Sequence, residues 1–276
     1  MNVVLTIGGS DTLCASGIQG DIKTIMRNGA YAVCAVASLV SKNTKEYKES
    51  VAVTPEFLAS QIDAVFEDIK VDAVKVGMVT SAELISTIAA KLRQYKPANI
   101  VVDPVIPTKQ RLVPLDEAAV KALEKDLLPL ADVITPDRRE AAMLAGIEIE
   151  SESDLIDACK IISAKYNAIV ISKAGLDVQA ANDLLFRDNY YKWFWGKSVT
   201  NPNNRGAGNS ISAALAANLA KGYEPDKAFK RAKDYVTAML DDQTLELGSG
   251  NGPVNQSFGL EDDFIRVLSD EEISRV

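Results

Sequence analysis

The sequence predicts an α/β fold in which a mainly parallel sheet carries helices on its faces. Short apolar, β-branched runs alternate with amphipathic stretches along most of the chain, and that change of period separates strands from helices. The amphipathic stretches are long enough to serve as crossovers between parallel strands, which tight turns cannot join. Glycine or polar residues follow nearly every strand run, the place where open parallel sheets collect ligands.

Taken in order, residues 3–7, 31–38, 73–76, 100–103, 133–135 and 168–172 read as strands. Between them, residues 18–28, 55–68, 82–95, 117–127, 139–145 and 153–165 read as helices. Pro55 suits a first helical position, where a backbone N–H would lack an intrahelical partner, and Thr54 is its candidate cap. Residues 184–186 and 190–195, separated by Arg187-Asp188-Asn189, read as a hairpin. Two helical stretches close the pattern, 210–221 and 225–240, with Gly222 as a stop for the first. No repeat, linker or composition break interrupts the chain, so a single domain over 1–276 is expected, with an acidic C-terminal extension from about residue 258.

The 276 residues are 47% hydrophobic and 25% charged, with a net charge of −8. That charge argues against a nucleic-acid binder. No apolar run approaches the ~20 residues that span a bilayer, and the N-terminus lacks a signal-peptide pattern. Cys14, Cys34 and Cys159 are few and widely spaced, and the chain has no histidine. Ser-His and Cys-His mechanisms and histidine metal sites are thereby excluded, and a cytoplasmic location is expected.

The most informative segment is Asn204-Arg205-Gly206-Ala207-Gly208-Asn209-Ser210, a glycine loop running into an alanine-rich helix. Backbone N–H groups and the helix dipole can hold a phosphate there. Polar residues after the strands add Gly8-Gly9-Ser10-Asp11, Lys42-Asn43-Thr44, Gly77-Met78, Asp103-Pro104, Thr135-Pro136-Asp137 and Lys173-Ala174-Gly175. Taken singly, each has a plainer role. Gly8-Gly9 can be only a turn, Asp21 a solvated helix carboxylate and Asp103 a strand terminator. Met78 can be core packing, and Glu140 a first-turn carboxylate favoured by the dipole.

As an ordered set, these segments resemble the ribokinase-like small-molecule kinases, in the hydroxymethylpyrimidine/phosphomethylpyrimidine kinase branch that includes bacterial pyridoxal kinases. The matching pieces are 5–11, 17–24, Lys75-Val76-Gly77-Met78, Val101-Val102-Asp103-Pro104-Val105, Ile134-Thr135-Pro136, Glu140-Ala141 and the Gly206-Ala207-Gly208 loop. The resemblance implies a three-layer α/β/α fold with a mainly parallel central sheet. It implies ATP as donor, Mg²⁺, a hydroxymethyl group on a heteroaromatic ring as acceptor, and a homodimer. By position it places Gly9, Asp21, Lys42, Met78 and Val105 at the ring, and Asp103, Asp137 and Glu140 near Mg²⁺ and its waters. Lys173 and Arg205 fall at donor phosphates, and Gly206, Ala207, Gly208 and Asn209 form the anion hole.

The chain departs from the family pattern in its functional loops. Asn209 stands where the family has aspartate, or cysteine in this branch, as base for the attacking hydroxyl; an amide cannot take that proton near neutral pH. Lys42 replaces a glutamine, Arg205 a histidine and Asp137 an asparagine. Residues 12–16 are bulkier than usual, and residues 106–111 are shorter and stiffened by proline. Three functions stay open: a kinase acting on a ring CH₂–OH, a paralogue that binds nucleotide or ring ligand without efficient turnover, and, less favoured by the motifs, a sugar or nucleoside kinase of the wider superfamily.

Overall fold

The computed structural model describes residues 1–106, 117–173, 181–196 and 198–259. Its strands are β1 (Val3–Gly9), β2 (Tyr31–Lys42), β3 (Tyr47–Ala52), β4 (Ala73–Val76), β5 (Ile100–Val102), β6 (Val133–Ile134), β7 (Ile169–Ser172), β8 (Asp183–Arg187) and β9 (Tyr190–Phe194). Among the described residues they form one sheet in the order β3-β2-β1-β4-β5-β6-β7-β8-β9. The six strands from β2 to β7 run parallel, while β3, β8 and β9 pair antiparallel at the two edges.

The helices are α1 (Gly17–Arg27), α2 (Pro55–Phe66), α3 (Ala82–Tyr95), α4 (Glu117–Ala122), α5 (Arg138–Ala145), α6 (Glu152–Tyr166), α7 (Ala207–Ala220) and α8 (Pro225–Asp241). Strand side chains alternate between faces, and β1 divides accordingly. Leu5 and Ile7 join Leu58, Ile62, Leu84 and Ile88 on the α2/α3 side. Val4 joins Ile25, Leu215 and Phe229 on the α1/α7/α8 side. These are the three layers the sequence implies.

Three differences bear on function. Residues 47–52 form an edge strand, unmarked in the sequence because all but one are exposed and no apolar alternation survives. The helix expected over 117–127 ends at Ala122 and continues as a π turn and a 3₁₀ turn to Leu130. The glycine loop is shorter than expected: Ala207, Gly208 and Asn209 already belong to the first turn of α7, and only Gly206, at φ 96°, caps it.

Helix α7 is buried from Ser210 to Ala220 and packs on β1, β4 and β5 and against α1. Its alanines let it approach the sheet closely. A Cβ on Gly20 of α1 would meet the Ala15 carbonyl at 2.8 Å and the Asn209 amide at 3.4 Å. Glycine at this position therefore brings α1 against the start of α7. No helix among the described residues is long and apolar enough to cross a membrane. The expected flap beyond Ile106 and the extension beyond Gly259 lie outside the described residues.

Candidate active site

A cavity of about 420 Å³ opens at the carboxyl ends of β1, β2, β4 and β5, beneath the start of α7, within the range of small-molecule sites. It brings together most of the residues singled out in the sequence. Gly9, Lys42, Met78 and Val105 line one part, Asp103 and Lys173 another, and Arg205, Gly206, Gly208 and Asn209 the α7 side, with Asp21 between. Ala207, Asp137 and Glu140 are not in its lining.

Gly206 and Gly208 do different things. A Cβ on Gly206 would lie 1.8 Å from the Ala15 carbonyl oxygen, and its positive φ disfavours other residues, so this glycine is required by the fold. A Cβ on Gly208 would meet nothing within 4 Å. That open space, beside first-turn N–H groups that have no intrahelical partner, fits a phosphate at the helix N-terminus.

The centre of the cavity is a closed hydrogen-bond knot. The buried Lys75 ammonium donates to both Asp21 carboxylate oxygens at 2.9 and 2.8 Å and to Asn209 Oδ1 at 2.8 Å. Asn209 Nδ2 donates to Asp21 Oδ1 at 2.8 Å, and Thr6 Oγ1 to Asp21 Oδ2 at 2.5 Å. All three ammonium protons are thereby placed, and the Asn209 amide has a single orientation in which both its ends are engaged. Burial pushes the Asp21 carboxyl above its ordinary value, against the pull of Lys75, Thr6 and Asn209. Asp21 lines the cavity, but its oxygens serve Lys75 and Asn209.

A second pair lies toward β7. Lys173 Nζ meets Asp103 Oδ1 at 2.8 Å, and Ser212 Oγ donates to Asp103 Oδ2 at 3.1 Å. Burial would raise the Asp103 carboxyl, but Lys173 and Lys75 together hold it below the ordinary range. Burial likewise opposes the Lys173 charge, and Asp103 followed by Glu140 outweighs it, so its ammonium is held more strongly than usual.

Asp137 and Glu140 bond each other across the first turn of α5. Asp137 Oδ1 accepts from the Glu140 N–H and Glu140 Oε2 from the Asp137 N–H, both at 2.8 Å, and Glu140 Oε1 accepts from the Ile106 N–H at 3.2 Å. Among the described residues no three acidic or cysteine side chains converge as a direct metal cluster. The three carboxylates expected near Mg²⁺ thus divide between an ion pair and a helix cap. Coordination through water is the arrangement they suit, because a magnesium ion keeps several of its waters.

At the acceptor end, Lys42 Nζ pairs with Asp11 at 2.9 Å and donates to Ser16 Oγ at 3.2 Å. Arg205 is different. Among the described residues its Nη2 reaches only the Thr44 carbonyl, at 3.4 Å, and its buried Nε has no partner.

Lys75, Thr6 and Ser212 escaped the sequence reading as site residues. Lys75 carried a usable signal, since a lysine within the buried strand Ala-Val-Lys-Val needs a carboxylate nearby. Thr6 and Ser212 carried none, being small polar residues in apolar runs.

A sheet of this order, with a helix N-terminus over its strand ends and paired charges in the cleft, defines the ribokinase-like kinases. The Bacillus subtilis pyridoxal kinase in an ADP complex superposes with a TM-score of 0.86 at 30% identity, covering 93% of this chain and 98% of that one. The Staphylococcus aureus pyridoxal kinase in complex with AMP-PCP and pyridoxal gives 0.84 at 28%, covering 93% of each chain. The phosphomethylpyrimidine kinase model matches residues 11–255. The hydroxymethylpyrimidine/phosphomethylpyrimidine kinase of Synechococcus elongatus is 34% identical over 94% of this chain and 98% of its own length. The thiamine biosynthesis bifunctional protein ThiED of Geobacter sulfurreducens is 38% identical over 94% of this chain, which spans 53% of that relative. The chain belongs to the phosphomethylpyrimidine kinase family.

Proposed function

We propose that the protein transfers a phosphoryl group from ATP to a hydroxymethyl-type group on a heteroaromatic ring of the pyrimidine or pyridoxal kind. The observation that carries this reading is the single cavity in which the α7 N-terminus with its open Gly208 faces both a lysine–carboxylate pair and the apolar wall of Met78 and Val105. ATP with Mg²⁺ supplies the transferable group. The first-turn N–H groups of α7 and the Lys173 ammonium stabilise the charge that spreads over the phosphoryl oxygens, the main demand of a loose transition state. Asp103, which lines the cavity, with Asp137 and Glu140 behind it, would hold Mg²⁺ through its waters, and the ion would neutralise phosphate charge there. Met78 and Val105 hold the ring, with Gly9 and Lys42 at its polar edge. Asn209, fixed by Asp21 and Lys75, orients the attacking oxygen.

Support for the donor comes from the AMP-PCP and ADP complexes of the two pyridoxal kinases. A homodimer is the proposed assembly, with Leu39 and Val51 as a candidate contact: they stand opposite each other on β2 and β3, both exposed. The cytoplasm is the proposed compartment, in keeping with three free thiols. ADP release from ATP with hydroxymethylpyrimidine, its phosphate ester and pyridoxal tests the reading; it fails if none supports turnover and none binds.

A second reading rests on Asn209 alone. With an amide at the base position, a binding paralogue without efficient turnover is the alternative. Ligand binding without ADP release, by a protein that gains turnover on Asn209→Asp, would favour it.

A further inference from the structure

A second cavity, of about 520 Å³, lies at the far ends of the helices whose starts build the first. Arg27 closes α1 and Lys221 caps α7; at ~1.5 Å per residue, α7 alone separates the two cavities by about 20 Å. Arg27, Lys221, Arg231, Asp234, Tyr235 and Phe258 line it. Among the described residues its three cations donate only to neutral oxygens. Arg27 bonds the Phe258 carbonyl at 2.9 Å, Lys221 the Asn28 carbonyl at 2.8 Å, and Arg231 Nε the Asn218 Oδ1 at 2.8 Å. The carboxylate in the lining, Asp234, is engaged by Lys230 at 2.6 Å. Lys227 adds a fourth cation: it, Lys221 and Arg231 stand 4.9, 5.4 and 4.8 Å from the centre of the Tyr223 ring. Helix dipoles account for Arg27 and Lys221, at helix C-termini, but not for Lys227 in the first turn of α8 or Arg231 in its second. On a chain of net charge −8, such a cluster calls for an anion between the like charges.

The path of the chain supplies the second, independent observation. Phe258 forms a wall of this pocket, its ring under the Arg27 guanidinium at 5.6 Å and 5.5 Å from the Tyr235 ring. Gly259 then turns the backbone at φ 64°, where a Cβ would lie 3.4 Å from Arg27 Nη2. The sequence that follows, residues 260–276, carries six carboxylates against two arginines. Glu261, Asp262 and Asp263 come first. Asp263 is five residues beyond Phe258, a reach of up to about 17 Å, enough to span the pocket. A tether that short holds its charges at an effective concentration on the order of millimolar, ahead of dilute free anions.

We propose that this basic pocket is the docking site of the chain's own acidic C-terminal segment, with the carboxylates of Glu261, Asp262 and Asp263 set against Arg27, Lys221 and Arg231. The contact ties the ends of α1 and α7 to α8, on the side of the molecule away from the candidate active site, and stands whether or not the kinase reading holds. Single ion pairs at such a surface are weak and screened by salt. Several on one short tether act together, and their effect disappears together when either side loses its charge.

The test joins carboxylates to lysines in the full chain with a zero-length carbodiimide, on an equal mixture of isotope-labelled and unlabelled protein, and locates the links by mass spectrometry. Links within one chain from Glu261, Asp262 or Asp263 to Lys221 or Lys227 are expected, and should be lost in about 1 M NaCl. Thermal unfolding provides the second readout. A tail variant (Glu261→Gln, Asp262→Asn, Asp263→Asn) and a pocket variant (Lys221→Gln, Arg231→Gln) should each lower Tm by about 2–4 °C, and the two combined should lower it no further than the larger single effect. Tail links that go to other lysines, or none at all, overturn the proposal. So do links only between labelled and unlabelled chains, which would make the occupant the tail of a second copy. Additive Tm losses overturn it as well. So does a rise in Tm with inorganic phosphate that needs Lys221 and Arg231 and is equal with and without the tail charges, which would assign the pocket to a free anion. The links in the unmodified chain decide the matter even if a variant misfolds.

Discussion

Asn209→Asp should restore a base whose working range is set by the knot around Lys75. In its protonated form the new carboxyl repeats what the amide does, accepting from Lys75 and donating to Asp21 Oδ1, contacts now at 2.8 Å each. Ionisation removes that second bond and leaves two carboxylates facing each other beside one ammonium. To first order, attraction to Lys75 and repulsion from Asp21 cancel. The lost charge-assisted bond, about 1.5–3 kcal/mol, then raises the new carboxyl above the ordinary aspartate range. Above that raised value the variant should phosphorylate hydroxymethylpyrimidine about 10²–10⁴-fold faster than the unmodified chain; toward pH 5 the advantage should fade. The folded-state pKa lies above the unfolded one, so the folded variant binds more protons between them and loses stability as pH rises through that range. Thermal unfolding should show the variant weaker at pH 8 than at pH 5 by up to about 1 kcal/mol relative to the unmodified chain, the rest of the effect lying below pH 5 where the unfolded carboxyl also protonates. A pH-independent gain would refute the reasoning.

Four further outcomes are expected. Gly206→Ala should lower stability by at least ~1–3 kcal/mol, because its Cβ collides with the Ala15 carbonyl; a chemical denaturation midpoint close to the unmodified one would contradict this. Gly208→Ala should keep its Tm within a few degrees yet weaken AMP-PCP binding, since its Cβ enters open space at the helix N-terminus; unchanged affinity in calorimetry would move the phosphates elsewhere. Asp103→Asn strands the buried Lys173 charge and should cost about 3–5 kcal/mol of stability at pH 7. The intact pair has Asp103 lowered and Lys173 raised, so its stabilising effect is present from above the unfolded carboxylate pKa to below the unfolded lysine pKa. It is lost as pH falls through the Asp103 pKa or rises through that of Lys173, and a flat urea midpoint from pH 3 to 7 would count against it. Lys75→Met leaves Asp21 buried without its cation and frees the Asn209 amide; a loss of about 3–5 kcal/mol is expected, read from urea unfolding at pH 7.

Much of this was legible in the residues. The alternation of apolar runs with amphipathic stretches gave β1, β2 and β4–β7 because buried parallel strands are continuous apolar segments. Strand β3 stayed hidden because an exposed edge strand lacks that signal. Residue types at strand ends marked Gly9, Lys42, Met78, Asp103 and Lys173, which the fold brings into one cavity. What the sequence could not give was who pairs with whom. Asp21 and Lys75 are 54 residues apart, and Asp21 and Asn209 are 188 apart. Only the packing of α1 on β1 and of α7 on β4 turns Asp21 from a solvated carboxylate into the anchor of the knot. The direction of Arg205 likewise depends on where Thr44 falls after β2.

The most direct test of the account is a crystal structure with AMP-PCP, Mg²⁺ and the phosphate ester of hydroxymethylpyrimidine. The account predicts donor phosphates against the first-turn N–H groups of Gly208 and Asn209, and the ring against Met78 and Val105. A nucleotide lying outside the cavity, or a ring turned away from Met78 and Val105, would contradict it.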